Sequence, residues 1–232
     1  MPTTIGLLGD LDLSKPTHRE LRAAVAMLPA GIDAQWLASD SPGAQALDAL
    51  DGLWVIPGSP YCDDAAVDAA IAWALQSDTP FLGTCGGFQY ALLVLARRSA
   101  GIEGAAHAEL DPDADQLVVA PLACSLVGQE REVRCVPGTR LAAILGTEPF
   151  MGFHWCGYGL GESFVAALEA AGVVISARAP DAGVEGIEVP SHPFFIATLF
   201  QPQVGSLAGQ PLHPLITAFL EAARAHQPTG VT

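Results

Sequence analysis

Five consecutive residues, Gly83-Thr84-Cys85-Gly86-Gly87, set a cysteine between small neighbours, after an apolar run at residues 80–84 and before a helical pattern at residues 88–97. Small residues two before and two after a nucleophilic side chain are the pattern of a strand-turn-helix elbow, in which the turn lifts that side chain above the carboxyl edge of a sheet. A helix N-terminus aimed at a sulfur favours thiolate, the form that attacks carbonyl carbon. Backbone N–H groups at Gly86 and in the Gly58-Ser59 turn, on the exit loop of the neighbouring strand, are placed to form an oxyanion hole. The same five residues equally suit a small buried cysteine in a glycine turn.

An elbow needs a parallel sheet to stand on, and the first hundred residues supply the pattern. Apolar runs at residues 4–9, 32–37, 51–56 and 80–84 alternate with helical spacing at 17–28, 63–76 and 88–97. That alternation predicts right-handed crossovers and a mainly parallel sheet covered on both faces, with ligands at the carboxyl ends of its strands. The second half is richer in strands, at 116–120, 130–136, 173–179, 184–189 and 194–200, with helices at 162–171 and 212–225. The pair 184–189 and 194–200, joined by Pro190-Ser191-His192-Pro193, reads as a β-hairpin. One domain over residues 1–226 with a frayed tail at 227–232 is expected.

Composition narrows the function. The 232 residues carry 10 Lys+Arg against 25 Asp+Glu, a net charge of −15, with Lys15 the one lysine. Such a surface repels phosphate backbones and anionic lipid, which argues against nucleic-acid and membrane roles. No apolar run is long enough to span a bilayer, and the first residues lack a basic region before an apolar stretch, so a cytoplasmic protein is expected. Five cysteines without a C-x-x-C pair argue against a disulfide framework or a zinc ribbon. No metal or cofactor is expected. The acids around Asp111, Asp113 and Asp115 read as a solvated loop.

The string Pro80-Phe81-Leu82-Gly83-Thr84-Cys85-Gly86-Gly87-Phe88-Gln89, preceded by Asp51-Gly52-Leu53-Trp54-Val55-Ile56-Pro57-Gly58, resembles class I glutamine amidotransferases, specifically the glutaminase domain of CTP synthases. Val184 to Ala197, then Leu199-Phe200-Gln201-Pro202-Gln203, and His213-Pro214-Leu215 extend the likeness in order, so that it runs from about Thr4 to Arg224. It is also similar to a subgroup of stand-alone CTP-synthase-like proteins. The resemblance implies a three-layer, flavodoxin-like α/β fold of that class with a mainly parallel sheet and a β-hairpin extension. It also implies that Cys85 is the nucleophile, Gln89 a substrate contact and Glu109 the acid that holds the substrate's amino group. With no counterpart of the amidoligase half in view, ATP or UTP chemistry is not expected.

Three departures fall on glutamine hydrolysis. Gln201 stands where the family has its catalytic His, and Gln203 where it has the supporting Glu. A carboxamide has no basic site near neutral pH and cannot take a thiol proton. Tyr158 matches the family's H-R-Y string, but Gly157 stands where its Arg would clamp the substrate carboxylate. Among the remaining histidines, His154 lies in the segment that faces the pocket by resemblance and is the leading substitute base, with His107 next. His192 reads as structural, and His18, His213 and His226 as surface or capping residues. Cys156, two residues after His154, reads as a half-buried strand cysteine rather than a metal ligand, Trp155 and Tyr158 as pocket or rim packing, and Glu185 as a carboxylate that pairing of its strand could bring near the site. The expectation is a cysteine hydrolase or transferase acting on a small amide-like molecule other than free glutamine. The alternatives are a non-catalytic binding or regulatory protein, and a glutaminase feeding ammonia to a separate synthetase partner.

Overall fold

The computed structural model describes residues 2–40, 44–180 and 182–226. The elements run β1 (Thr3–Leu8), α1 (Pro16–Ala26), β2 (Ile32–Leu37), α2 (Ala44–Leu47), β3 (Gly52–Val55), α3 (Asp64–Gln76), β4 (Phe81–Thr84) and α4 (Gly86–Arg98). They continue through β5 (Ala105–His107), β6 (Gln116–Pro121), β7 (Gln129–Cys135), α5 (Arg140–Leu145), β8 (Phe150–His154) and β9 (Tyr158–Leu160). After a 3-10 turn at Glu162–Phe164 come α6 (Val165–Ala170), β10 (Val174–Ala179), β11 (Gly183–Glu188), β12 (Phe195–Thr198) and α7 (Pro214–Ala225).

The main sheet has the order β2-β1-β3-β4-β12-β11-β10-β7-β8. Its first five strands pair in parallel, as the alternating βα pattern requires. From β12 outward every pairing is antiparallel. The expected hairpin is β11 and β12, with Gly186 opposite Thr198 and Glu188 opposite Ile196, but it is the inner part of a five-strand antiparallel wing. That wing includes β8, which the sequence reading missed because Phe150–His154 carries a glycine and two aromatics without clean alternation. A second sheet, β5-β6-β9, lies apart from the first.

The central strands β3, β4 and β12 are buried along their whole length, as expected of strands covered on both faces. One core holds α3 and α4 against one face, around Val55, Phe81, Phe88 and Phe195. The other holds α1, α5 and α7 against the opposite face, around Leu7, Trp54, Leu82 and Phe219. Helix α4 is buried from Gly86 to Ala96, which makes it the rigid support of whatever its N-terminus carries. Two side-chain caps start helices: Asp63 accepts from the Ala66 N–H at 2.9 Å and Thr139 from the Ala142 N–H at 3.1 Å. No helix among the described residues is long and apolar enough to cross a membrane. The tail at 227–232 lies outside the described residues.

Candidate active site

Cys85 sits between β4 and α4 with φ +52° and ψ −104°, a conformation that costs a non-glycine residue about 1 to 3 kcal/mol and persists only where the surroundings over-determine it. The surroundings do so. The Cys85 N–H donates to the Thr198 carbonyl of β12 at 2.9 Å, and the Cys85 carbonyl accepts from the Gln89 N–H at 3.1 Å. Glycine is required on both sides: a Cβ on Gly86 would lie 1.6 Å from the Gly58 carbonyl oxygen, one on Gly87 2.3 Å from the Val55 oxygen, and one on Gly83 2.7 Å from the Gly87 oxygen. The small residues read as an elbow are therefore the condition for packing α4 against the β3 exit loop.

Cys85, 7 % exposed, opens into a cavity of about 590 Å³ walled by Gly58, Ser59, Gln89, Glu109, Cys156, Gly157, Tyr158 and Gln201, with Lys15, Thr17 and His18 at the start of α1. Of the nine residues expected at the site, seven (Gly58, Ser59, Cys85, Gln89, Glu109, Tyr158 and Gln201) thus line this cavity. Gly86 lies behind Cys85 against Gly58, off the cavity surface.

A hydrogen-bond chain holds Gln89. Its Nε2 donates to the Tyr158 carbonyl at 2.9 Å, so Tyr158 acts here through its backbone. Its Oε1 lies 3.2 Å from His107 Nε2, and His107 Nδ1 accepts from the Glu109 N–H at 3.1 Å. Because Nδ1 is an acceptor, the proton sits on Nε2 and points at Gln89. Burial pushes the His107 pKa down to about 4, so at neutral pH this ring positions Gln89 as an uncharged donor. Glu109 accepts from Ser59 Oγ at 2.6 Å, which ties the β3 exit loop to the acid.

His18 was expected at the surface or as a cap; it is 1 % exposed. Its Nε2 donates to the Pro57 carbonyl at 2.7 Å and its Nδ1 accepts from the Asp12 N–H at 2.8 Å. It fastens α1 to the Gly58 loop, and burial lowers its pKa. His192 is structural, bonded to the Ala74 carbonyl and the Phe194 N–H at 3.1 Å each. His213 caps α7, accepting from the Leu215 N–H at 3.2 Å.

His154 and Glu185 are fully buried, with His154 Nε2 2.9 Å from both carboxylate oxygens of Glu185. Nδ1 of His154 is buried and has no hydrogen-bond partner. The ring is turned toward β11, and His154 does not form part of the cavity wall. Glu185 is one of two carboxylates on β11; its partner required the β7–β8 ladder to be known.

The Gln201 N–H donates to the Phe153 carbonyl at 2.9 Å. Gln203 Nε2 donates to Gln201 Oε1 at 2.7 Å. Both side chains are buried, and Gln201 Nε2 and Gln203 Oε1 have no partner. Cys156, expected on a half-buried strand, lies in the loop between β8 and β9, 7 % exposed on the cavity wall. Its thiol hydrogen-bonds with that of Cys85, and this contact, followed by burial, pushes its pKa well up. The Cys85 thiol also donates a long hydrogen bond to the Trp155 carbonyl oxygen at 3.8 Å. No group of three or more His, Cys, Asp or Glu among the described residues could hold a metal ion.

Residues 63–203 match the Peptidase C26 family model. The chain is 36% identical over 184 residues to a CTP synthase of Pyrobaculum aerophilum, covering 75% of this chain and 34% of that protein. It is 30% identical over 247 aligned positions to a CTP synthase of Staphylococcus aureus, covering 97% of this chain and 45% of that protein. The chain thus spans less than half the length of these relatives. Among solved structures, the glutaminase domain of Trypanosoma brucei CTPS with bound acivicin superposes with a TM-score of 0.81 at 22% identity, covering 97% of this chain and 95% of that one. A glutamine amidotransferase from Thermotoga maritima superposes at 0.56 with 14% identity, covering 97% and 85%. With the elbow, the parallel sheet beneath it and the family match agreeing, the chain belongs to the Peptidase C26 family of class I glutamine amidotransferases.

Proposed function

We propose that the chain is a cysteine-dependent hydrolase or acyltransferase that acts on a small-molecule amide other than free glutamine. The observation that carries this reading is the pairing of a strained, cavity-facing Cys85 with a Gln201–Gln203 amide pair, at positions where the resemblance implies the family's acid–base dyad. Backbone strain of that kind, held in place by three glycines, is kept where a side chain must project into a site. Cys85 Sγ attacks the amide carbonyl, the oxyanion lies toward the Gly58–Gly86 contact, and the C–N bond breaks to give a thioester and an amine. Water then cleaves the thioester, giving a carboxylic acid and restoring the thiol. Gln201 Nε2, an unpaired donor, orients water or the substrate carbonyl, and water carries the proton, since His154 faces Glu185.

Selectivity against glutamine follows from Gly157. A Cβ there meets nothing within 4 Å, so the cavity is open where the resemblance places a carboxylate clamp. Lys15 supplies a cation at another part of the wall and Glu109 an anion, which suits a substrate with charges of both signs. Because the chain matches the glutaminase part of CTP synthases, a separate synthetase receiving ammonia is the second reading.

Alkylation of Cys85 across pH, read by mass spectrometry with glutamine and a panel of small amides and anilides as protectants, tests both. Protection and turnover by one amide class, abolished in Cys85→Ala, support the proposal. Turnover of glutamine itself supports the second reading, and a Cys85 that nothing protects leaves a binding protein.

A further inference from the structure

The five cysteines are not distributed alike. Cys62 and Cys124 are exposed, Cys135 is buried in β7, and Cys85 and Cys156 share the cavity wall although 71 positions apart in sequence. Their thiols are hydrogen-bonded to each other, and the backbone just before Cys156 lies 3.8 Å from Cys85 Sγ at the Trp155 carbonyl. Two neighbouring thiols on one cavity wall are the arrangement from which an S–S bond of roughly 2.05 Å can form. No step of amide hydrolysis needs the second thiol.

We propose that Cys85 and Cys156 form a modification site, a dithiol that hydroperoxides convert to an intramolecular disulfide across the floor of the cavity. The Cys85 thiolate attacks a peroxide oxygen: an S–O bond forms, the O–O bond breaks, and the leaving hydroxide takes a proton and departs as water. The sulfur of Cys156 then attacks Cys85 Sγ, the S–S bond forms, the S–O bond breaks, and hydroxide leaves as water with the Cys156 proton. In sum, two thiols and one hydrogen peroxide give one disulfide and two waters. Contact with Cys85, followed by burial, pushes the Cys156 pKa well up, which casts Cys156 as the thiol that resolves the oxidised Cys85. The disulfide protects Cys85 from irreversible oxidation and keeps it from acting as a nucleophile until a thiol reductant restores it.

The test needs no substrate. In a Cys62→Ser background, tryptic residues 23–97 contain Cys85 as their one cysteine, and residues 141–178 contain only Cys156. One equivalent of hydrogen peroxide is expected to join these two peptides, with loss of iodoacetamide labelling at Cys85 and full recovery after dithiothreitol. With Cys156→Ser the cross-link disappears and Cys85 instead gains two oxygens that dithiothreitol does not remove. Three results would each overturn the proposal: reversible protection that persists in Cys156→Ser, a cross-link to Cys124 or Cys135, or wild-type Cys85 over-oxidising as fast as in Cys156→Ser. Because labelling and mass are read rather than turnover, the outcome is separate from whether the proposed hydrolysis occurs.

Discussion

The side-chain amide of Gln203 donates to Gln201 Oε1 at 2.7 Å, and this bond leaves Gln201 Nε2 as a buried donor without a partner on the wall of the Cys85 cavity. Two carboxamides thus make a hydrogen-bonded couple of the kind an imidazole and a carboxylate would make there, without a basic atom. The double variant Gln201→His with Gln203→Glu would place one beside the thiol. A positioned base contributes roughly 10²- to 10⁴-fold in proton-transfer chemistry, so iodoacetamide labelling of Cys85 at pH 7 should accelerate at least tenfold in the double variant and little in either single one. An unchanged rate would mean that position 201 does not reach the sulfur.

The His154–Glu185 pair has no exposed surface. Removing one partner of such a buried pair strands the other and costs about 3 to 5 kcal/mol, so His154→Ala should lower the urea midpoint sharply. The labelling rate at Cys85 should change less than threefold under conditions where the variant is folded. A tenfold slower rate in a folded His154→Gln would instead make His154 the proton carrier.

Lys15 and Glu109 put opposite charges on one cavity wall. Iodoacetate carries a negative charge and iodoacetamide does not, so the ratio of their rates at Cys85 reads the local potential. The ratio should fall severalfold in Lys15→Gln, rise in Glu109→Gln, and both effects should shrink as salt screens the cavity mouth. Equal ratios in all three proteins would remove charge selection from the substrate reading.

Burial lowers the pKa of both His107 and His213 to about 4. The folded state therefore binds fewer protons than the unfolded chain between the ordinary histidine value of about 6.5 and about 4. Stability is fully present above pH 6.5 and is lost as pH falls toward 4. At pH 5 the loss is about 2 kcal/mol for each histidine, readable as a steeper fall of the urea midpoint from pH 7 to pH 5 in the wild type than in His107→Asn or His213→Asn. Parallel pH curves for the wild type and both variants would contradict the cause assigned here.

Local chemistry was legible in the sequence wherever it depends on neighbours along the chain. The elbow needs glycine at fixed offsets from Cys85, and the alternation of apolar strands with helices fixes a parallel order up to β4. The capping of α3 by Asp63 and the turn between β11 and β12 are likewise set by residues a few positions apart. The absence of a basic atom at 201 and 203 could also be read directly, because it is a matter of side-chain type.

What tertiary structure decided is which distant residues meet. The four alternating strands β1 to β4 could have ended the sheet, but β7, β8, β10 and β11 extend it, and only that wing brings His154 of β8 against Glu185 of β11 and turns the ring away from the cavity. His18 is a capping candidate by position, yet burial against the Pro57 carbonyl makes it a strut of the Gly58 loop. Cys156 looks like any strand cysteine until the chain returns beside the elbow and sets its thiol against Cys85. Periodicity reports which face of an element is apolar; it carries no information on which two polar side chains, 71 residues apart, the packed core leaves in contact.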